Sequence, residues 1–167
     1  MIQKKTVTFL VILGISLFMS LSMTYAAEHT KPQALEGVDR AKTIFDVTLG
    51  NPESLAGNLG VIDETLDTLN QQGVEADLVV AFRGPAVRFT TADTQQIPAN
   101  QREAAQKLAR SIEGLAERGV RFESCGISAR ALGVDQSELV PGVKAVANTF
   151  VSLIGYQAKG YGLVPIR

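Results

Sequence analysis

The chain has 167 residues, 46% hydrophobic and 20% charged, and its 16 basic and 17 acidic side chains leave a net charge of −1. Near balance with interspersed signs gives no support to nucleic-acid binding. One cysteine, Cys125, leaves no intramolecular disulfide, and one histidine, His29, leaves almost no support for a Cys-His nucleophilic pair or a histidine metal site.

Residues 1–26 have the layout of a secretory signal peptide. Lys4 and Lys5 precede an apolar run from Val7 to Met23, and Thr24 and Ala26 supply the small residues of a cleavage site before Ala27. The alternative is an uncleaved anchor, because an apolar run of about 17 residues sits at the lower edge of spanning length. Export to the periplasm is the expectation, with the membrane met only through this segment if it is retained. Cleavage leaves about 141 residues, enough for one domain, and 14 basic against 17 acidic side chains.

Residues 27–40 contain Pro32 and Gly37, lack apolar periodicity and read as an N-terminal arm. Residues 41–167 alternate between strand and helix patterns. Lys42 to Leu49 is β-rich and stops at Gly50-Asn51-Pro52, which also starts a helix. Leu55, Leu59, Ile62, Leu66 and Leu69 line one face of that helix, which closes at Gly73. Asp63, Glu64 and Asp67 lie on its other faces as a solvated surface. Asp77 to Phe82 is a short apolar run of the kind buried on both faces of a parallel sheet, and it ends at Arg83-Gly84-Pro85.

A looser stretch runs to Ala99. Asn100 and Glu103 make a capping-box-like start for a helix with Ala104, Leu108, Ile112 and Leu115 on one face and Gly119 at its end. Val120 to Cys125 is the third strand. Ser128 to Leu132 makes a turn of helix stopped by Gly133, and Asp135 with Glu138 is another cap-like pair. Val143 to Ala147, a helix from Asn148 or Thr149 to Lys159, and Tyr161 to Ile166 complete the pattern. Strands alternating with helices predict a three-layer α/β/α sandwich on a mostly parallel sheet of about five strands.

In such sheets ligands bind outside the carboxyl ends of the strands. Three loops qualify: Gly50-Asn51-Pro52, Arg83-Gly84-Pro85 and Cys125-Gly126-Ile127-Ser128. A thiolate at Cys125 would be favoured by the Gly126 and Ile127 amides, by Arg130 one turn on, and by Arg83 from the neighbouring strand. Strand alternation puts Arg121 and Glu123 on the same face, with opposed effects. An inert core cysteine is the competing reading, since free cysteine is often buried. There is no G-x-G-x-x-G after a strand, no P-loop, no G-x-S-x-G elbow and no Cys-x-x-Cys.

Four stretches carry a family resemblance: GNLGVIDETLDTLNQQG leading into ADLVVAFRGPAV, then LAERGVRFESCGISARALGV, then LVPGVKAV, and the terminal YQAKGYGLVPI with Gln157, Gly160 and Tyr161. In these the chain resembles the DsrE/DsrF-like family of small α/β proteins over nearly all of residues 27–167. The resemblance implies a parallel-sheet domain, assembly into homo-oligomeric trimers or hexamers, and sulfur carried as a persulfide on the cysteine matched by Cys125. No cofactor or metal is implied; sulfur donor and acceptor proteins are. The chain departs from its better-understood relatives in carrying an export signal, and in having Arg83 where they often have a histidine before Gly-Pro. The leading expectation is therefore a sulfur-relay protein or sulfurtransferase using Cys125, with Arg83, Gly84, Gly126, Ile127, Arg130 and Asn51 around the ligand. A non-catalytic oligomeric binding module of the cell envelope is the alternative, and a redox-sensing thiol a third.

Overall fold

A computed structural model describes residues 32–167; the signal-like segment 1–26, His29 and the start of the arm lie outside the described residues. Among the described residues five strands and four helices alternate: β1 (Arg40–Val47), α1 (Pro52–Gln71), β2 (Glu75–Phe82), α2 (Arg102–Glu117), β3 (Arg121–Cys125), α3 (Gly126–Leu132), β4 (Val143–Val146), α4 (Thr149–Ala158) and β5 (Gly162–Ile166). All four strand pairs are parallel, in the order β4-β3-β2-β1-β5. The expected sandwich is present, with helices on both faces of a five-stranded sheet.

The strand order fixes where each helix lies. From β1 to β4 the chain steps in one direction, so right-handed crossovers put the intervening helices on one face. The return from β4 past β1 to β5 runs the opposite way, and the same handedness puts α4 on the other face. Packing follows this division. Phe45, Val47, Leu78, Val80, Phe82 and Phe122 meet Leu55, Leu59 and Ile62 of α1 and Leu108, Ile112 and Leu115 of α2 in the main core. Each such side chain contributes about 1.5–3 kcal/mol on burial. On the opposite face Ile44, Val79 and Ala81 meet Leu153 of α4 and Tyr161 in a smaller cluster.

Local differences from the sequence pattern have physical causes. The arm is tied down from residue 32: Gln33–Leu35 forms a 3-10 turn, Leu35 and Val38 pack on the core, and Arg40 already belongs to β1. Helix α2 has no capping box; Asn100 lies in a 3-10 turn ahead of it, and the helix starts at Arg102, whose guanidinium instead binds the Ile97 and Gln95 carbonyls. That start turns Ala105, in place of Ala104, into the core. Asp63 and Asp67 remain on the surface, where Arg118 bridges them.

Candidate functional site

Cys125 is the last residue of β3 and pairs in register with Val146 at the end of β4. Its neighbour Gly126 already begins α3, so the helix starts two residues before Ser128 and Cys125 is its N-cap residue. Three residues beyond Val146, Thr149 begins α4. The N-termini of two helices thus converge on Cys125, a residue 4% exposed. Gly126 permits the convergence: a Cβ there would sit 3.1 Å from the Val146 carbonyl oxygen, 3.2 Å from that of Ala147 and 3.2 Å from Gln136 Oε1.

The groups around the sulfur favour its ionised form. Burial alone would push the thiol up. Against it act the Thr149 hydroxyl, the backbone N–H groups of Thr149 and Ser128, and the Ser128 hydroxyl, and together they bring Cys125 from 9.0 down to about 7. The donors follow from local hydrogen-bond accounting. In the first turn of α4, Asn148 Oδ1 accepts from the Phe150 N–H at 3.0 Å and the Asn148 carbonyl accepts from the Val151 N–H, which leaves the Thr149 N–H for the sulfur. Ser128 Oγ accepts from the Gly84 N–H at 2.8 Å, so its own proton is directed at another acceptor, the sulfur. Thr149 Oγ1 is buried with no hydrogen-bond partner among the described residues, and it stands near enough to Cys125 to favour the charged form of the thiol.

Arg83 adds a fixed positive charge. Its Nε and Nη2 donate to the two carboxylate oxygens of Asp46 at 2.6 and 2.7 Å, and its guanidinium lies 5.2 Å from the centre of the Phe150 ring. The Asp46 hydrogen bond raises its pKa, and the Cys125 charge raises it further. Asp46 is 3% exposed and is also approached by Arg167 Nη2 at 3.5 Å. The pair therefore holds a guanidinium in a planar, two-pronged geometry near the thiol.

Of the residues singled out from sequence, Cys125, Arg83, Gly84 and Gly126 meet here. Ile127 is 47% exposed, and the amides that act on the sulfur are those of Ser128 and Thr149. Arg130 lies exposed in the last turn of α3. Asn51 caps α1, its Oδ1 accepting from the Ser54 N–H at 2.8 Å. Arg121 and Glu123 are engaged away from the thiol: Arg121 donates to Asp77 of β2 and to Tyr161 just before β5, and the hydroxyl of Tyr156 in α4 donates to Glu123. Tyr161, from the terminal motif, is thereby a structural residue. Sequence reasoning placed Ser128 in a candidate loop without a role and missed Thr149 and Asp46. Only Asp46, a carboxylate inside an apolar strand, had a signal of its own.

Comparison with known proteins bears on this arrangement. A protein-family model, the DsrE/DsrF-like family, matches residues 27–165. An uncharacterized protein of Aquifex aeolicus (strain VF5) is 24% identical over 125 residues, covering 74% of this chain and 55% of that protein, so the chain spans about half the length of this relative. Two solved structures share the fold. The protein of unknown function MTH1491 from Methanobacterium thermoautotrophicum superposes with a TM-score of 0.61 at 17% identity, over 75% of this chain and 99% of its own. The ychN protein from E. coli gives 0.55 at 16% identity with the same coverage.

Proposed function

We propose, from the premise that this chain belongs to the DsrE/DsrF-like family, that Cys125 receives and passes on sulfane sulfur as a persulfide. The observation that carries the reading is the thiol at the end of β3, faced by donors from two helices that lower it to about 7. Near neutral pH about half of such a thiol is the nucleophilic thiolate, against about one part in a hundred at 9.0.

The Cys125 thiolate attacks the outer sulfur of a donor persulfide, R–S–SH. The new Sγ–S bond forms as the donor S–S bond breaks, and the leaving R–S⁻ takes the electron pair. The proton of the transferred sulfur stays on it or passes to solvent. An acceptor thiolate then attacks the outer sulfur of Cys125–S–SH in the same way, so no net oxidant or reductant is consumed. Donors from Ser128 and Thr149, with Arg83 nearby, stabilise the anion when Cys125 is attacker and again when it is leaving group. Because Cys125 is only 4% exposed, its sulfur meets a donor when the surrounding cover moves, so an opening step precedes transfer.

Assembly and export are part of the same proposal. Phe150, Val151 and Ile154 leave an apolar row exposed on α4, beside the thiol, which favours burial against a second copy. The periplasm is the proposed compartment, on the signal-like residues 1–26. The same row supports the second reading, a non-catalytic binding module, in which Cys125 is dispensable. Intact mass measurement before and after polysulfide treatment separates them. One reductant-reversible sulfur on the wild type and none on Cys125→Ser is expected; an unmodified wild type whose thiol reacts only after unfolding would leave the binding module.

A further inference from the structure

The segment between β2 and α2, which the sequence pattern leaves loose, is an anchored wall. Arg102 ties the Ile97 and Gln95 carbonyls, Thr91 bridges to Leu139, and the Ala92 N–H donates to the Glu138 carbonyl at 2.7 Å. Behind it, at the carboxyl end of the sheet, lies a partly open cavity of about 320 Å³, lined on its other sides by Pro85, Phe89 and the end of α3. None of Cys125, Ser128, Thr149 or Arg83 lines it. Its volume falls at the lower end of small-molecule sites, and such sites are mostly formed before the ligand arrives.

The lining combines two chemistries. Buried Phe89 and Ile97, with half-buried Leu132 and Val134, offer an apolar seat. Asp93, Asp135 and Glu138 stand around it against one guanidinium, Arg88, and none of these four makes an ion pair among the described residues. Asp93 and Asp135 each spend Oδ1 on a turn, accepting from the Gln95 and Ser137 N–H groups, which fixes the carboxylates and leaves Oδ2 available. Those Ser137 contacts also hold Asp135 below the usual carboxylate range, so it stays charged.

We propose that this cavity is a second ligand site, independent of the thiol chemistry, for a small organic cation. The apolar body rests on Phe89, Ile97, Leu132 and Val134, and the ammonium is met by the three carboxylates. An anion of the same shape is repelled, because carboxylates outnumber the arginine.

The test is titration of the ¹⁵N-labelled protein with phenethylammonium and, separately, with phenylacetate. The expected result is saturable shifts at the amides of residues 91–97 and 132–138 with the amine, and binding at least about fivefold weaker for the acid. Asp93→Asn with Glu138→Gln keeps the turn acceptors and weakens the amine severalfold; Leu132→Trp fills the seat and abolishes binding. Should the tryptophan variant fail to fold, the charge variant decides alone. Equal binding of amine and acid, absence of shifts with the amine, or an unchanged affinity in the charge variant overturns the proposal.

Discussion

Replacing Thr149 by valine removes one hydroxyl from the thiol site and leaves the backbone, and nearly the shape, intact. Cys125 stands about two pH units below 9.0, a preference for the thiolate of about 2.7 kcal/mol. Burial opposes that shift, and among the groups that produce it the Thr149 hydroxyl is the largest. A hydrogen bond to a charged group contributes about 1.5–3 kcal/mol, and with several other donors left in place the lower end applies, so its loss raises the midpoint by about one unit, to about 8. The assay is the rate of alkylation by iodoacetamide, followed by intact mass from pH 5.5 to about 10, ranges chosen to bracket both midpoints. At pH 7 the variant's thiolate fraction, and with it the rate, falls about fivefold, whereas above both midpoints the rates converge. Ser128→Ala, which leaves α4 untouched, shifts in the same direction. Superimposable profiles for wild type and Thr149→Val would refute the reasoning, since the hydroxyl would then have no part in holding the anion.

Arg83→Gln removes the guanidinium near the thiolate and strands Asp46, 3% exposed, with only Arg167 at 3.5 Å. Urea denaturation should show a loss of about 3–5 kcal/mol, much of it recovered in the double variant with Asp46→Asn, and the alkylation midpoint should rise; a single variant as stable as wild type would mean that the pair is not desolvated. Gly126→Ala drives a methyl group against the Val146 and Ala147 carbonyls. It should cost about 1–3 kcal/mol and raise the thiol midpoint by pushing the start of α4 away, and an unmoved midpoint would separate the turn from the site. Ile154, 68% exposed on α4, is the natural place to break assembly. Light scattering should give an oligomer for the wild type and a folded monomer for Ile154→Glu, with a lower thermal midpoint from the lost association; a monomeric wild type would remove assembly from the proposal.

The fold was legible because it is written locally. Leu55 to Leu69 at helical spacing, the apolar run Asp77 to Phe82 and the glycines closing each helix mark alternating strands and helices with no knowledge of contacts. The position of Cys125 was legible for the same reason. Its partners were not, because they come from a topological event. Thr149 reaches the sulfur only because the chain reverses direction after β4, which places α4 on the opposite face with its first turn beside the end of β3. Strand order is absent from periodicity, so Thr149 read as an ordinary helix start. Arg130 does lie one turn beyond Gly126, but α3 is only seven residues long, so that guanidinium is exposed in its last turn.

An inert buried cysteine and a tuned one can be told apart by the stability of Thr149→Val as a function of pH. In a site built only to pack, a buried hydroxyl lacking a partner is a net cost of about 1–3 kcal/mol, and valine should be the better residue at every pH. In a site built for the anion, the sign depends on the thiol. A group whose folded pKa is depressed adds stability in full above its unfolded value and loses it as pH falls through the folded one. The wild type therefore gains between about pH 7 and pH 9, the window set by the Cys125 shift, and the variant, titrating near 8, gains only about half as much. Below pH 6 the thiol is protonated in both, and Thr149→Val should be the more stable by about 1 kcal/mol. Above pH 9 it forgoes about 1.4 kcal/mol of thiolate stabilisation, which cancels and then outweighs that gain. Denaturation at pH 5.5 and 9.5 reads the difference directly: a reversal or marked narrowing of the stability gap means the hydroxyl serves the thiolate, whereas a gap that is the same at both ends means it serves nothing but the shape of the turn.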